Sequence, residues 1–151
     1  MKSYAVIGLG RFGSALARQL CKLGAEVLAL DVKGDYVQQI ANDVTHAVVG
    51  DSQDKEVLRA LGAGNFDCAV VAIGGDLSAS VLTVMNLKEL GVPYIVCKAH
   101  DETHRRVLEK LLVAEIAGGR VELRDIHGLT IENRTAQGKA IPDDVLEAMK
   151  G

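Results

Sequence analysis

The sequence has few aromatic residues, few prolines and no long hydrophobic run. Aromatic residues make up 3% of its 151 residues, tryptophan is absent, and the formal net charge is −3. These features argue against nucleic acid as a partner, because single strands bind on aromatic platforms and duplexes bind to clustered positive charge. Two prolines and a hydrophobic fraction of 48% also exclude a disordered or fibrous chain.

No segment has the pattern of a membrane span or a secretory signal. The most apolar stretch, 78–90, is interrupted by polar and charged residues, whereas a span needs about 20 apolar residues. At the N-terminus, a strand-like run begins directly after Met1-Lys2, without the length or cleavage site of a signal peptide. The three cysteines are odd in number and lie far apart in apolar stretches, which is typical of reduced core thiols. We therefore expect a cytoplasmic protein with no direct membrane insertion.

Short β-branched runs alternate with amphipathic stretches through the first 112 residues. This order is typical of a parallel sheet with crossover helices, and it predicts an α/β, Rossmann-like doubly wound fold. Gly24, Gly62 and Gly91 stand where a left-handed residue would end a helix. The predicted strands are residues 4–8, 26–31, 45–49, 68–73 and 94–98, and the predicted helices are 12–23, 35–41, 54–61, 78–90 and 101–112.

Residues 113–151 follow a different pattern. Val121–Arg124 and 129–133 can pair as a hairpin, and Ile141-Pro142 is typical of the start of a short helix. This segment is too short for a second globular domain. We expect one domain over residues 1–112 and a short irregular C-terminal tail over 113–151.

A glycine-rich motif joins the first predicted strand to the first predicted helix. Gly8-Leu9-Gly10-Arg11-Phe12-Gly13 matches the G-x-G-x-x-G fingerprint in its strand–turn–helix context. Gly8 allows the tight turn, Gly10 allows the backbone to approach a phosphate, and Gly13 allows close packing of the helix. The motif predicts that the phosphates of a nucleotide bind at the N-terminus of this helix.

Two charged residues indicate which nucleotide binds. Asp31 ends the second predicted strand, where a carboxylate accepts hydrogen bonds from the ribose hydroxyls and repels the 2′-phosphate of NADP. Arg11 can form a bidentate pair with a terminal phosphate, which ATP and ADP have and NAD lacks. A solvated arginine at a helix start is the alternative for Arg11. We expect ATP or ADP as the ligand, with NAD or NADH as further candidates.

Further candidates follow the other predicted strands, because ligands of such sheets bind at the carboxyl ends of strands. Asp51 and Ser52 can hydrogen-bond adenine, while Ile73 and Gly74 offer an apolar edge and accessible backbone. Turn or capping chemistry is the alternative for each of these residues. The candidate binding residues also include three neighbours of the motif and of Asp31, namely Phe12, Val32 and Lys33.

Seven segments of the sequence occur in the same order as in a known family. They are residues 4–13, 30–31, 45–48, 70–74, 87–90, 98–100 and 106–111. Together they resemble the nucleotide-binding N-terminal lobe of RCK proteins, the regulators of potassium conductance, also called the TrkA-N domain. The pattern is most similar to that of the KtrA/TrkA regulatory subunits of bacterial potassium uptake systems.

The resemblance implies a cytoplasmic, non-enzymatic subunit. In this family, dimers assemble into a ring beneath a membrane potassium-translocating subunit and gate it by changing shape with ATP or ADP. The resemblance also implies that Lys98, His100 and His104 lie beside the phosphates. Arg120 stands where the family has the glutamate of a cation site, so no metal site is carried over to this chain.

The NAD-binding domain of a dehydrogenase is the alternative function, because the same fingerprint opens many such enzymes. Ser80, Tyr94 and Lys98 imitate the catalytic set of short-chain dehydrogenases. However, 94–98 is predicted to be a strand, in which residues four apart are separated by about 13 Å. The residues after 112 also leave no room for a substrate domain.

Two other features allow a simpler interpretation. His100 and His104 have helical spacing, but two histidines do not supply the three or four ligands that a metal site needs. Apolar residues cover more than one face of the predicted helix 78–90, which indicates an oligomer interface in addition to a core face.

Overall fold

The structure is a computed structural model that describes residues 2–98, 102–103, 106–108 and 121–124. Its strands are β1 (Ser3–Ile7), β2 (Glu26–Asp31), β3 (His46–Val49), β4 (Cys68–Val71), β5 (Tyr94–Lys98) and β6 (Val121–Arg124). Its helices are α1 (Arg11–Lys22), α2 (Gly34–Ile40), α3 (Lys55–Ala60) and α4 (Leu77–Glu89), and a short 3-10 helix (Ala63–Asn65) follows α3. The strands form one sheet in the order β3-β2-β1-β4-β5-β6, and every described pair of neighbours is parallel. The predicted Rossmann-like fold is confirmed.

The ends of the described helices and of β1, β3 and β4 differ from the prediction by one or two residues, and the caps explain the difference at two helix starts. Asp54 was predicted as the first residue of a helix, and it is the N-cap of α3; Asp76 is the N-cap of α4, which begins one residue before the predicted start at 78. Their carboxylates accept hydrogen bonds from the backbone amides of Glu56 and Ala79, each with a donor–acceptor distance of 3.0 Å. Gly24, Gly62 and Gly91 have positive φ values of 91°, 73° and 89° just beyond α1, α3 and α4, which confirms them as helix stops.

The last described strand shows how the C-terminal segment joins the sheet. Val121–Arg124 is a strand, as predicted, and it pairs in parallel with β5, from Ile95 opposite Val121 to Lys98 opposite Arg124. The prediction placed these residues in an irregular tail. A parallel partner needs a long connection, which residues 99–120 supply. The predicted hairpin partner 129–133, the short helix at Ile141 and most of the predicted helix 101–112 lie outside the described residues.

Helices cover both faces of the sheet, so the core has two halves. On one face, Leu16 and Leu20 of α1 pack with Ile40 of α2 against the strands. On the other face, Leu58 of α3 packs with Leu87 of α4. Burial on both sides explains why the central strands are apolar on nearly every residue.

The two fully buried cysteines belong to this core. Cys68 lies on β4 and Cys97 on β5, and neither forms a disulfide. Burial raises the pKa of each thiol to about 12, so both stay protonated at neutral pH. They are therefore packing residues and not nucleophiles. Among the described helices, none has the length and apolar character of a membrane span.

Candidate functional site

A cleft of about 510 Å³ runs along the edge of the sheet where the parallel strands end. Strands β1, β2 and β5 contribute residues to it, and so do the segments that directly follow β3 and β4. The sequence-predicted residues that line the cleft are Gly8, Gly10, Arg11, Phe12, Asp31, Val32, Lys33, Asp51, Ser52, Ile73, Gly74 and Lys98. Gly13 belongs to the first turn of α1 beside the cleft and is buried, while His100 and His104 lie outside the described residues.

The glycines of the fingerprint bring α1 into close contact with β1 and β4. Gly8 has φ of +97°, and an added Cβ there would lie 2.7 Å from the carbonyl atoms of Ala72. An added Cβ at Gly13 would overlap the carbonyl oxygen of Gly8. At Gly10, by contrast, an added Cβ would meet no atom of the described residues within 4 Å. Two glycines therefore serve internal packing, and the third leaves the backbone accessible from the cleft.

The N-terminus of α1 differs from those of the two helices capped by aspartate. Its N-cap is Gly10, and its first turn contains no acidic residue. The N-caps of α3 and α4 are Asp54 and Asp76, whose carboxylates accept backbone hydrogen bonds. The positive end of the α1 dipole thus faces the cleft without a side-chain anion from its own first turn, which favours an anionic ligand.

Asp31 connects the end of β2 to the glycine-rich loop. Its Oδ2 accepts a hydrogen bond from the backbone amide of Leu9 at 2.7 Å, and its Oδ1 accepts one from the backbone amide of Lys33 at 2.9 Å. A carboxylate offers about four acceptor positions, so each oxygen can still accept another hydrogen bond. Asp31 can therefore hold the loop and also bind ribose hydroxyls.

Three cations lie along the cleft. Arg11 is exposed at the first position of α1, and no carboxylate of the described part of the chain pairs with it. The ammonium of Lys98 lies 5.6 Å from the centre of the Phe12 ring, which brings a second cation to the start of α1. The ammonium of Lys33 lies 5.3 Å from the centre of the Tyr36 ring on the β2 side. Arg11 and Lys98 therefore combine with the α1 dipole at the same end of the cleft.

The segment 50–53, after β3, forms the wall on the other side of β2. Ser52 is only 5% exposed, and its Oγ lies 2.6 Å from Oγ1 of Thr83 on α4. Asp51 is exposed, and its Oδ1 accepts a hydrogen bond from the backbone amide of Gln53 at 2.9 Å. The Ser52 hydroxyl is thus hydrogen-bonded within the protein. Asp51 forms a turn contact, which is the alternative to a ligand contact for this residue.

Apolar surface completes the cleft. Val32, just after β2, is 60% exposed, and Ile73, just after β4, is half-buried. Both line the cleft, on opposite sides of the β1 end. Such exposed apolar side chains can contact the flat faces of a base or the edge of a sugar.

The residues that imitate a dehydrogenase do not form a catalytic group. Ser80 is fully buried on α4, and Tyr94 and Lys98 are the two ends of the same strand, as predicted. Within the described residues, no cluster of three or more histidine, cysteine or acidic side chains is arranged to hold a metal ion.

Comparisons with known proteins agree with the geometry of the cleft. A model of the TrkA-N domain matches residues 4–118. The chain belongs to the TrkA-N family. Over 110 residues it is 49% identical to Ktr system potassium uptake protein C and 44% identical to Ktr system potassium uptake protein A, both of Bacillus subtilis. Each alignment covers 73% of this chain and 50% of the relative, so the chain spans half the length of these curated relatives.

Solved structures show the same fold in a TrkA-N domain and in a Kef protein. The TrkA-N domain of the inner membrane protein ybaL from Escherichia coli superposes with a TM-score of 0.64 at 15% identity, covering 72% of this chain and 80% of that one. The Kef CTD of Shewanella denitrificans, solved in an AMP-bound form, superposes with a TM-score of 0.62 at 27% identity. That superposition covers 73% of this chain and 67% of the Kef chain. The predicted family and fold class are both confirmed.

Sequence reasoning missed several residues of the cleft. Tyr36, Gln53, Asp76 and Ala79 also line it. Tyr36 carried a signal, because it is one of only five aromatic residues and follows Asp31 closely in sequence. Asp76 carried one as well, since an acidic residue before an apolar run is typical of an N-cap. Gln53 and Ala79 carried none, because their places depend on how α3 and α4 pack.

Proposed function

We propose that the chain is the nucleotide-sensing lobe of a regulatory subunit that controls a membrane potassium transporter from its cytoplasmic side. The names of the Ktr and Trk relatives support the potassium role. The AMP-bound form of the Kef CTD supports an adenine nucleotide. One observation carries the proposal: the N-terminus of α1, with its Gly10 N-cap, faces a cleft that also contains Asp31. Arg11 stands beside it, and no carboxylate among the described residues pairs with Arg11.

The order of the strands supports one orientation of a nucleotide in the cleft. Strands β1, β2 and β3 are neighbours, so the ends of β1 and β3 are separated by two strand spacings, about 10 Å. Phosphates at the β1 end would meet the amides of α1, ribose would meet Asp31 at the β2 end, and the base would reach 50–53 at the β3 end. Asp51 would accept a hydrogen bond from the amino group of adenine.

ATP or ADP fits this arrangement better than NAD or NADH. Arg11 can form a bidentate pair with a terminal phosphate, and Lys98 adds a second cation at the same end. By the family resemblance, His100 and His104 would complete the phosphate site. NAD has no terminal phosphate, so it would use the glycine-rich loop and Asp31 without the full contribution of Arg11.

The ligand would act by binding and not by reaction. A regulatory lobe needs only a difference in ligand affinity between two shapes of the assembly. An oligomer interface on α4 is supported by three large apolar side chains that remain exposed, Leu77, Leu82 and Met85. We propose that copies of the chain associate as dimers within a ring, in contact with the potassium-translocating subunit.

Calorimetric titration of ATP, ADP, NAD and NADH tests the proposal. We expect ATP and ADP to bind, and we expect Arg11→Ala to weaken ATP binding by about tenfold or more, since hydrogen bonds to charged groups contribute roughly 1.5–3 kcal/mol. NAD binding should change much less. Arg59→Ala is the control, because Arg59 pairs with Glu56 on α3 and does not line the cleft. Equal weakening of NAD and ATP would contradict the role of Arg11, and absence of any nucleotide binding would refute the function.

A further inference from the structure

One face of α4 carries three polar side chains, two of which bond to the segment between β3 and α3 and the third to the first residue of α3. Thr83, Asn86 and Glu89 are spaced three residues apart, so they follow one another along the helix surface. The Thr83 hydroxyl forms a hydrogen bond with the Ser52 hydroxyl, and the Glu89 carboxylate forms an ion pair with the Lys55 ammonium at 2.7 Å. Between them, Nδ2 of Asn86 donates hydrogen bonds to two backbone carbonyls, those of Ser52 and Gln53, each at a distance of 3.0 Å.

The contact nearest the N-terminus of α4 is polar and buried. Thr83 is fully buried and Ser52 is 5% exposed, so their hydroxyls have exchanged water for each other. A buried polar group is costly unless it is hydrogen-bonded, and here both members of the pair are satisfied. The polar face of α4 therefore contacts this segment along its length, and it changes from buried at Thr83 to exposed at Glu89.

The contacts of Asn86 lead by one further bond to the cleft. Gln53 accepts a hydrogen bond from Asn86 through its carbonyl and donates one to Oδ1 of Asp51 through its amide. Within the described residues, no hydrogen bond engages the other carboxylate oxygen, Oδ2 of Asp51. Asn86 thus holds the residue that in turn orients the Asp51 carboxylate on the cleft wall.

We propose that Asn86, supported by Thr83, is a positioning residue that fixes Asp51 for recognition of the adenine base. This inference rests on the proposed function. A carboxylate oxygen accepts a hydrogen bond from the amino group of adenine, whereas the corresponding carbonyl of guanine is an acceptor and is repelled. The segment 50–53 therefore makes the cleft specific for adenine, provided that α4 holds it in place.

Replacement of Asn86 by leucine tests this role, because leucine has a similar volume and no hydrogen-bond donor. The matched control is Asn42→Leu, since Asn42 is exposed after α2 and does not line the cleft. Titrations with ATP, GTP and tripolyphosphate separate the base from the phosphates. We expect Asn86→Leu to weaken ATP binding by about tenfold, the loss expected from two neutral hydrogen bonds. The preference for ATP over GTP should fall by a similar factor, and tripolyphosphate affinity should change by less than about twofold, as these bonds are remote from the phosphates.

A second pair of variants isolates the hydroxyl contact. Thr83→Val removes the partner of Ser52 and keeps the shape of the side chain, whereas Thr83→Ser keeps the hydroxyl. The valine variant should bind ATP more weakly than the serine variant, with tripolyphosphate again unchanged. This pair also decides the matter if Asn86→Leu does not fold.

The outcomes distinguish the inference from the function on which it rests. If the unmodified protein binds ATP and both Asn86→Leu and Thr83→Val keep its affinity and its preference over GTP, the positioning role is wrong and the proposed function stands. Equal weakening of ATP and tripolyphosphate also overturns the positioning role, because it indicates general damage to the cleft. If the unmodified protein binds no adenine nucleotide, both proposals fail.

Discussion

The two walls of the cleft are built in different ways. At the end of β1 the wall consists of backbone: Gly8, Gly10 and Gly13 let a helix start, a strand end and a turn approach one another. At the end of β3 the wall consists of residues 50–53, held by side chains that come from α4. The first wall is a contiguous motif, while the second is joined by hydrogen bonds between residues 31 to 34 positions apart.

This difference separates general nucleotide binding from selectivity. Backbone amides at a helix N-terminus bind any phosphate, because every nucleotide presents the same group to them. A wall made of side chains can differ between proteins that share the glycine motif. The comparison therefore predicts that damage to the first wall affects the fold and all ligands, and that damage to the second wall affects mainly the choice of base.

The largest effect is expected at Gly13. A methyl group in Gly13→Ala would overlap the Gly8 carbonyl oxygen, so α1 would have to move away from β1. We expect a loss of about 3 kcal/mol in the free energy of unfolding, at the upper end of overpacking effects, together with loss of nucleotide binding. Denaturant unfolding measures the first quantity and calorimetry the second.

The control for Gly13 is Gly10→Ala. An alanine at Gly10 has an ordinary φ of −70° and meets no atom of the described residues within 4 Å. Its free energy of unfolding should change by less than about 0.5 kcal/mol, because glycine and alanine differ little in volume and the site is uncrowded. Comparable destabilisation by the two substitutions would contradict the packing role assigned to Gly13.

The next effect is expected at Asp31. In Asp31→Asn one carboxylate oxygen becomes an NH2 group, which cannot accept a hydrogen bond, so either the amide of Leu9 or that of Lys33 loses its partner. We expect a loss of about 2 kcal/mol in the free energy of unfolding, the contribution of a hydrogen bond to a charged group. Hydrogen exchange at the Leu9 amide should also become faster.

The corresponding change on the other wall is Asp51→Asn. The Asp51 carboxylate accepts one exposed hydrogen bond, from the amide of Gln53. Its replacement should cost less than about 1 kcal/mol, because water can replace an exposed bond. A larger loss at Asp51 than at Asp31 would reverse the comparison between the two walls.

The smallest effect is expected at the ion pair between Lys55 and Glu89. The two side chains are 35% and 52% exposed, so solvent screens their attraction. We expect Glu89→Gln to change the free energy of unfolding by less than about 0.5 kcal/mol, and the change should disappear at high salt. Unfolding curves at two salt concentrations measure this. A change of 1 kcal/mol or more that persists at high salt would show that the ion pair, and not Asn86 and Thr83, holds the β3 wall.

The sequence allowed the first wall to be predicted because its determinants are local. The fingerprint, the strand before it and Asp31 at the end of β2 each have a physical reason that depends on neighbouring residues. The bounds of β2 and β5 were likewise predicted to the residue, since both are short apolar runs between clear breaks.

The second wall could not be predicted in the same way. Nothing near Ser52 in the sequence indicates that its hydroxyl bonds to Thr83, and nothing near Asn86 indicates that it holds two carbonyls after β3. The parallel pairing of β6 with β5 is a similar case, because the choice of partner depends on the path of the intervening chain and not on the strand's own pattern.

The position of β6 has a consequence for whatever follows it in the chain. Because β6 runs parallel to β5, Arg124 lies opposite Lys98, at the edge of the sheet along which the cleft runs. The C-terminal end of β6 is therefore one strand away from Lys98, a residue that lines the cleft. The C-terminal end of β6 and the glycine-rich loop after β1 thus stand on the same side of the sheet, although more than a hundred residues separate them in the chain.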